Sequence, residues 1–404
     1  MRLCFEPSIA SGRISAPPSK SMAHRYLIAA ALSEGDCKIN NIEFSQDVLA
    51  TLDCIKAMGC NVSTDVDSVT ISHTADIPES AMEFRCRESG STLRFFIPIS
   101  MISDGCKRFY GSETLLGRPM GVYEDICNAQ GIGYKASGEC IEIDGRLTAG
   151  EYTVRGDISS QFITGLLFAL PKLDADSTIK LLPPVESRPY IDMTIEALSR
   201  FGVSVVWTDD LTILVKGSQT YHSCDITTEG DYSNAALIDA YNMAGGSVDI
   251  TGLREDSLQG DRVYRDYFAQ MRDGMPTLDI SDCPDLGPVL MAVGAACNGV
   301  ILVGTDRLKI KESDRGTVMC TELEAFGIKT VCEPNRITVI ASELKRPVEA
   351  LYGHNDHRIV MALSMLLSIT GGVLCGAEAV SKSFPSYFDV IRGLGIKVTE
   401  DGVD

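Results

Sequence analysis

Six stretches of this 404-residue chain follow one plan. At a spacing of about seventy residues, a polar helix start leads into an apolar helix, a strand, a second, amphipathic helix ending on Gly, and an apolar strand. A period that long exceeds a solenoid repeat, so it marks one supersecondary unit copied six times. The copies open at Ser21, Gly90, Ser159, Ser233, Leu286 and Asp356. Their second halves rhyme in Met58-Gly59-Cys60, Gln130-Gly131-Ile132, Phe201-Gly202-Val203, Phe326-Gly327-Ile328 and Leu394-Gly395-Ile396, while the fourth, Tyr267 to Gly274, is weaker. Copies differ most in the charge at their loops and first helical turns, which is where function is sought.

A chain of this length buries large cores and divides into two or three domains. Its net charge of -19 opposes general affinity for nucleic acid, which needs a basic face. Lys and Arg nevertheless recur beside Ser, Asp and Gly at the copy starts, as suits an electropositive cleft in an acidic protein. The 14 Cys are scattered and never spaced Cys-x-x-Cys, which favours reduced thiols, and the 5 dispersed His give no metal-ligand pattern. With no dinucleotide fingerprint either, no metal or organic cofactor is expected. The opening Met1-Arg2-Leu3-Cys4-Phe5-Glu6-Pro7 lacks a basic-then-apolar signal region, and no apolar run is long enough to span a bilayer. The expectation is a cytoplasmic protein without membrane contact.

The prolines of Ala16-Pro17-Pro18-Ser19 forbid helix and the serine is a good N-cap, so the first helix is predicted to start near Lys20. Ser21 and Arg25 then share a face with Lys20 beside them. Two cations and a hydroxyl thus gather at a helix N-terminus, where the dipole disfavours cations and the free N–H groups favour an anion. Glu88-Ser89-Gly90-Ser91-Thr92 leads into a helix carrying Arg94, and Gly90 lets a ligand approach the backbone. Ser159-Ser160-Gln161 opens the third apolar helix, and Arg118 and Arg188 each precede Pro and so project from loops. Taken singly, such features are more often capped helices and surface arginines. Copies five and six are densest. Lys311 and Arg315 are predicted to share a helical face with Glu312 beside them, and Asn355-Asp356-His357-Arg358 and Ser381-Lys382-Ser383 fill equivalent slots in the sixth. Asp285 opens the fifth. A charge run is by default a solvated surface, but recurrence at matching positions argues for a site.

Pro17-Pro18-Ser19-Lys20-Ser21, Ser89-Gly90-Ser91-Thr92-Leu93-Arg94, Gly117-Arg118-Pro119, Ser159-Ser160-Gln161-Phe162, Ser187-Arg188-Pro189-Tyr190, Lys311-Glu312-Ser313-Asp314-Arg315, Asn355-Asp356-His357-Arg358 and Lys382-Ser383-Phe384-Pro385 together resemble, in order, the motifs of the 5-enolpyruvylshikimate-3-phosphate synthases, one of the enolpyruvyl transferases. The likeness runs from Pro17 to Phe388. It implies an α/β chain forming a two-domain inside-out α/β barrel of six βαβαββ-type repeats, three per domain. Residues 20–230 would form one domain and 1–19 with 231–404 the other, with the active site in the cleft between them. It also implies a monomer that transfers the enolpyruvyl (1-carboxyvinyl) group of phosphoenolpyruvate to the 5-hydroxyl of 3-phosphoshikimate, in aromatic amino-acid synthesis. By the same likeness Lys20, Ser21, Arg25, Ser159, Ser160, Gln161, Ser187, Tyr190, Asp285 and Lys311 hold 3-phosphoshikimate. Lys20, Gly90, Arg118, Gln161, Arg315, Arg358 and Lys382 serve phosphoenolpyruvate.

Each substrate carries a carboxylate and a phosphate, so a closed site needs several convergent cations. One pair at about 4 Å gains only roughly 4 kcal/mol at an effective dielectric near 20, before desolvation. Adding a hydroxyl to C2 while protonating C3 needs a base and an acid, which are expected to be Asp285 and Glu312, with Lys20 stabilising the bridging oxygen and the departing phosphate. An open form without ligands and a closed form with both are expected. The chain departs from many relatives in Glu88-Ser89, in Pro18, and in Arg307 where others place Asn. Three rivals are a UDP-N-acetylglucosamine 1-carboxyvinyltransferase, opposed by the absence of Cys between Tyr110 and Arg118; RNA 3'-phosphate cyclase, which would need a basic RNA surface; and a non-catalytic phosphometabolite-binding protein, opposed by carboxylates among the cations.

Overall fold

The computed structural model describes residues 1–73 and 82–400. The chain divides into two compact units, Pro18–Glu229 and Met1–Pro17 with Gly230–Asp404, each with its own hydrophobic core. The first unit carries helices α1 (Lys20–Leu32), α2 (Gln46–Ala57), α3 (Gly90–Ser100), α4 (Gly121–Gln130), α5 (Ser160–Ala169) and α6 (Arg188–Arg200). The second carries α7 (Tyr232–Met243), α8 (Tyr264–Asp273), α9 (Gly287–Ala296), α10 (Arg315–Ala325), α11 (His357–Thr370) and α12 (Tyr387–Gly393). Odd-numbered helices are the apolar ones and are buried nearly end to end: in α1 every residue from Met22 to Leu32 is buried. Even-numbered helices bury one face, as α6 does with Ile191, Met193, Thr194, Ala197 and Leu198.

Buried polar residues satisfy the free N–H groups at the starts of the buried helices. Ser19, Ser89, Ser159, Asp231 and Asp356 accept from first-turn N–H groups of α1, α3, α5, α7 and α11. Helix α9 is instead entered through the 3₁₀ turn Pro284–Leu286.

Five sheets repeat one order, a parallel pair followed by two antiparallel strands. Glu151–Arg155, Ser177–Leu182, Thr212–Val215 and Val205–Asp209 form one example. A parallel pair demands a crossover, and in four of these sheets the buried helix supplies it, whereas in the first copy Cys37–Asn40 pairs with the distant Ile226–Thr227. Copy four is reduced to Ser247–Thr251 paired with Ser11–Ser15. The N-terminal segment also fills the sixth sheet, where Arg2–Phe5 lies between Gly372–Cys375 and Val398–Glu400. The recurring glycines after the outer helices take left-handed φ, 91° at Gly59, 70° at Gly131, 78° at Gly202, 79° at Gly327 and 94° at Gly395. Gly274, in the weak fourth copy, is extended at φ 166°.

Cys320 of α10 and Cys332 of the strand Lys329–Glu333 are neighbours, with Cα atoms 7.6 Å apart. The turn from helix to strand lays them side by side, which a gap of 12 residues in sequence does not announce. Among the described residues, no helix is long and apolar enough to cross a membrane.

Candidate functional site

In the first unit three copies bring their polar starts together. Arg94 of α3 donates from Nη1 to Gln161 Oε1 of α5 at 2.7 Å and from Nη2 to the Pro119 carbonyl at 3.3 Å, and its guanidinium lies 5.0 Å from the Phe162 ring centre. Gln161 returns Nε2 to Ser91 Oγ at 2.9 Å, and its own N–H is capped by Ser159 Oγ at 3.3 Å. A Cβ at Gly90 would stand 2.7 Å from the tip of the Arg118 side chain, at Nη1, and 3.7 Å from Gln161 Oε1. Gly90, Arg118 and Gln161, paired from sequence, therefore meet, and Arg94 joins them.

Arg25 is buried on α1. Its Nε donates to Thr194 Oγ1 at 2.9 Å, Nη1 to the Ser21 carbonyl at 2.7 Å and Nη2 to the Tyr190 carbonyl at 2.8 Å. These acceptors are all neutral, and burial pushes the guanidinium down to about 10. It stays charged at neutral pH, so an incoming carboxylate would supply the opposite charge that the protein withholds. Ser187, just ahead of α6, is buried and left-handed at φ 56°. Ser160 is buried in the first turn of α5. His24 and Thr51 (2.7 Å), Thr51 and Thr92 (2.8 Å), then Thr92 and Ser89 (2.7 Å) form a buried chain from α1 to the cap of α3. Burial first, then Lys20 and Arg25, hold the imidazole well below its usual range, so it adds no charge here.

Lys20 differs from expectation. Its Nζ is 2.6 Å from Asp47 Oδ2, and the two side chains are only 16% and 12% exposed. It is half of a nearly buried ion pair, not a cation on an open helix end. Asp47, in the first turn of α2, was missed because nothing in sequence links it to a lysine 27 residues earlier.

In the second unit the charges converge on Asp285. Arg315 Nη1 reaches its Oδ1 at 2.8 Å, Lys311 Nζ the same oxygen at 3.2 Å, and Arg358 Nη2 its Oδ2 at 3.2 Å. Arg315 also donates to Glu312 Oε2 at 2.6 Å and to both oxygens of Asp356 at 2.8 and 3.2 Å. At 1% side-chain exposure, with most of its donors used, Arg315 organises the three carboxylates more than it offers itself to solvent. Those carboxylates outweigh burial and hold its guanidinium well above the ordinary value. Burial, with Arg307 and Arg315 nearby, lowers the Lys311 ammonium against the pull of Asp285.

The shared helical face predicted for Lys311 and Arg315 is corrected, since α10 begins only at Arg315. They meet because both reach Asp285. Asp356, read from sequence only as the opening of the sixth copy, is fully buried, accepts from Ser313 Oγ and Arg315, and caps α11 through the Arg358 N–H at 3.0 Å. Ahead of it His354 (φ 49°) and Asn355 (φ 53°) are both left-handed, and Lys382 Nζ donates to the Asn355 carbonyl at 2.6 Å.

Repeated α/β copies presenting cations and hydroxyls at helix starts, with carboxylates fixed among cations in one unit, define an enzyme built for small polyanionic substrates. A family model described as EPSP synthase (3-phosphoshikimate 1-carboxyvinyltransferase) matches residues 6–391, and the chain belongs to that family. Proteins named 3-phosphoshikimate 1-carboxyvinyltransferase from Clostridium beijerinckii and Clostridium kluyveri are 38% and 37% identical to it. Alignments cover 96% of both chains in the first case and 98% in the second. The fold is shared with a solved EPSP synthase from Acinetobacter baumannii (TM-score 0.79, 21% identity, 99% of this chain and 100% of that one). It is shared too with the enolpyruvyl transferase NikO from Streptomyces tendae (TM-score 0.78, 14% identity, 98% of each).

Proposed function

We propose that the two clusters described above serve one reaction, transfer of the enolpyruvyl group of phosphoenolpyruvate to the 5-hydroxyl of 3-phosphoshikimate with release of phosphate. Lys20, Ser21, Arg25, Ser159, Ser160, Gln161, Ser187, Tyr190, Asp285 and Lys311 hold 3-phosphoshikimate. Lys20, Gly90, Arg118, Gln161, Arg315, Arg358 and Lys382 hold phosphoenolpyruvate. The 5-hydroxyl oxygen bonds to C2 as its proton passes to Asp285 and C3 gains a proton from Glu312. C3 then returns a proton as the C2–O bond to phosphate breaks, with Lys20 steadying the leaving oxygen. Both Asp285 oxygens are engaged by cations, so acting as a base requires the hydroxyl to displace one of them.

The observation that carries this reading is the convergence on Asp285 of three cations from two separate chain segments, beside Glu312. A pure anion binder gains nothing from carboxylates placed there. Phosphate release assayed with 3-phosphoshikimate and, separately, with UDP-N-acetylglucosamine tests it. Turnover is expected only with the former, falling about a hundredfold or more in Asp285→Asn. Turnover with the nucleotide sugar alone would replace the substrate assignment. By family likeness the enzyme acts as a monomer in the cytoplasm, and light scattering giving a dimer mass would correct the first of these.

A further inference from the structure

The six groups paired around Asp285 are charge-balanced: Lys311, Arg315 and Arg358 against Asp285, Glu312 and Asp356. Buried Arg307 acts on Lys311 as a fourth cation, and one more carboxyl acts on Asp285 and Arg358. Asp261, in the 3₁₀ turn Gly260–Val263, is 2% exposed. Its Oδ2 accepts from Ser233 Oγ, while its Oδ1 is buried and has no hydrogen-bond partner. Helix α7, which carries Ser233, packs against the Asp261 turn, against the Pro284–Leu286 turn that carries Asp285, and against α11, which carries Arg358.

The charged and titratable groups acting on Asp261 come from each of these elements. Asp285 and Cys283 belong to the turn before α9, Arg358 to α11, and Ser233 and Asp231 to the start of α7. From α8, Tyr264 and Arg265 engage Tyr232 and Asp239 instead. Burial, then the Asp285 charge, push the Asp261 carboxyl up to about 7, against Arg358 and the Ser233 hydroxyl.

We propose that Asp261 is a positioning residue of the transferase site. As a neutral acid it leaves Arg358 to Asp285. As a carboxylate it competes for Arg358 and weakens the positive charge offered to the incoming anion. This rests on the assignment of Arg358 to phosphoenolpyruvate. The change costs no redox chemistry and moves one proton between Asp261 and solvent.

Phosphoenolpyruvate affinity, measured by isothermal titration with 3-phosphoshikimate present, is compared between the intact enzyme and Asp261→Asn, which keeps a neutral group at the same place. The ratio of the two affinities cancels the ionisation of the ligand itself. It should shift about tenfold in favour of the variant between about pH 6 and about pH 9, with a midpoint near the carboxyl's own. A ratio that stays level overturns the proposal. Should Asp261→Asn fail to fold, Ser233→Ala replaces it. Losing the hydroxyl that favours the carboxylate must move the midpoint of the enzyme's own affinity profile to higher pH, and an unmoved midpoint counts against the idea. Arg358→Gln separates the two assignments. If it abolishes tight binding while the Asp261 ratio is level, only the present inference falls. If it leaves binding intact, the assignment of Arg358 falls and takes this one with it.

Discussion

Lys20 shows what a single side chain can and cannot disclose. Its type and its place after Pro17-Pro18-Ser19 were readable, but its partner was not, because Asp47 reaches it only through the packing of α1 on α2. The partner changes the expected phenotype. Lys20→Met strands a nearly buried carboxylate, so about 2–3 kcal/mol of stability should go together with turnover. Lys20→Met with Asp47→Asn should restore most of the stability and none of the activity. Urea midpoints and phosphate release measured on both variants check this, and a double variant that regains turnover would remove Lys20 from the chemistry. Asp261 makes a second residue-scale case. Its carboxyl is held at about 7 against an ordinary 3.8, so the folded state keeps a proton that the unfolded chain gives up. That stabilisation is full below pH 3.8, is lost as pH rises through about 7, and amounts to roughly 4 kcal/mol. Asp261→Asn should therefore gain stability relative to the parent across that window and no further above it, as denaturant titrations at stepped pH will show. Neither effect was visible in sequence, where Gln259-Gly260-Asp261 is an unremarked polar turn.

Elements were far more legible than contacts. Continuous apolar runs and the capping residues located the buried helices, and the Gly after each outer helix located its end, because these signals act within a short stretch of chain. Signals failed where the backbone left the regular pattern: the 3₁₀ turn carrying Asp285, and the stretch before α10 that keeps Lys311 off the helix. The glycines offer a clean contrast. Gly131 and Gly274 both have open space where a Cβ would go, but only Gly131 is left-handed. Gly131→Ala should cost about 1 kcal/mol through conformation alone, whereas Gly274→Ala should be neutral or slightly stabilising. Thermal melts of the two variants measure the difference, and equal losses would mean that the copies' shared ending is not a conformational requirement.

At the scale of the molecule, three copies of the repeat per unit explain why each unit has its own core, and this much follows from the period. What chain order hides is that residues 1–17 belong to the later unit. Only family likeness suggested it, since pairing Arg2–Phe5 with Gly372–Cys375 closes a loop of nearly the whole chain. The consequence differs for the two units. Residues 18–229 are continuous and contain both strands of every described pair in their sheets, so a fragment of that span should unfold in one cooperative transition. Residues 230–404 alone lack the strand between Gly372–Cys375 and Val398–Glu400 and the partner strand of Ser247–Thr251. Their backbone N–H and C=O groups would lose ladder partners on buried faces, which a unit of marginal stability cannot bear. The fragment 230–404 should therefore show little cooperative melting by circular dichroism until a peptide of residues 1–17 is added, and the melting temperature should then rise with peptide concentration by mass action. A 230–404 fragment that melts cooperatively without the peptide would mean that its remaining sheets and helices suffice, and that the N-terminal strands are accessory to this unit's fold.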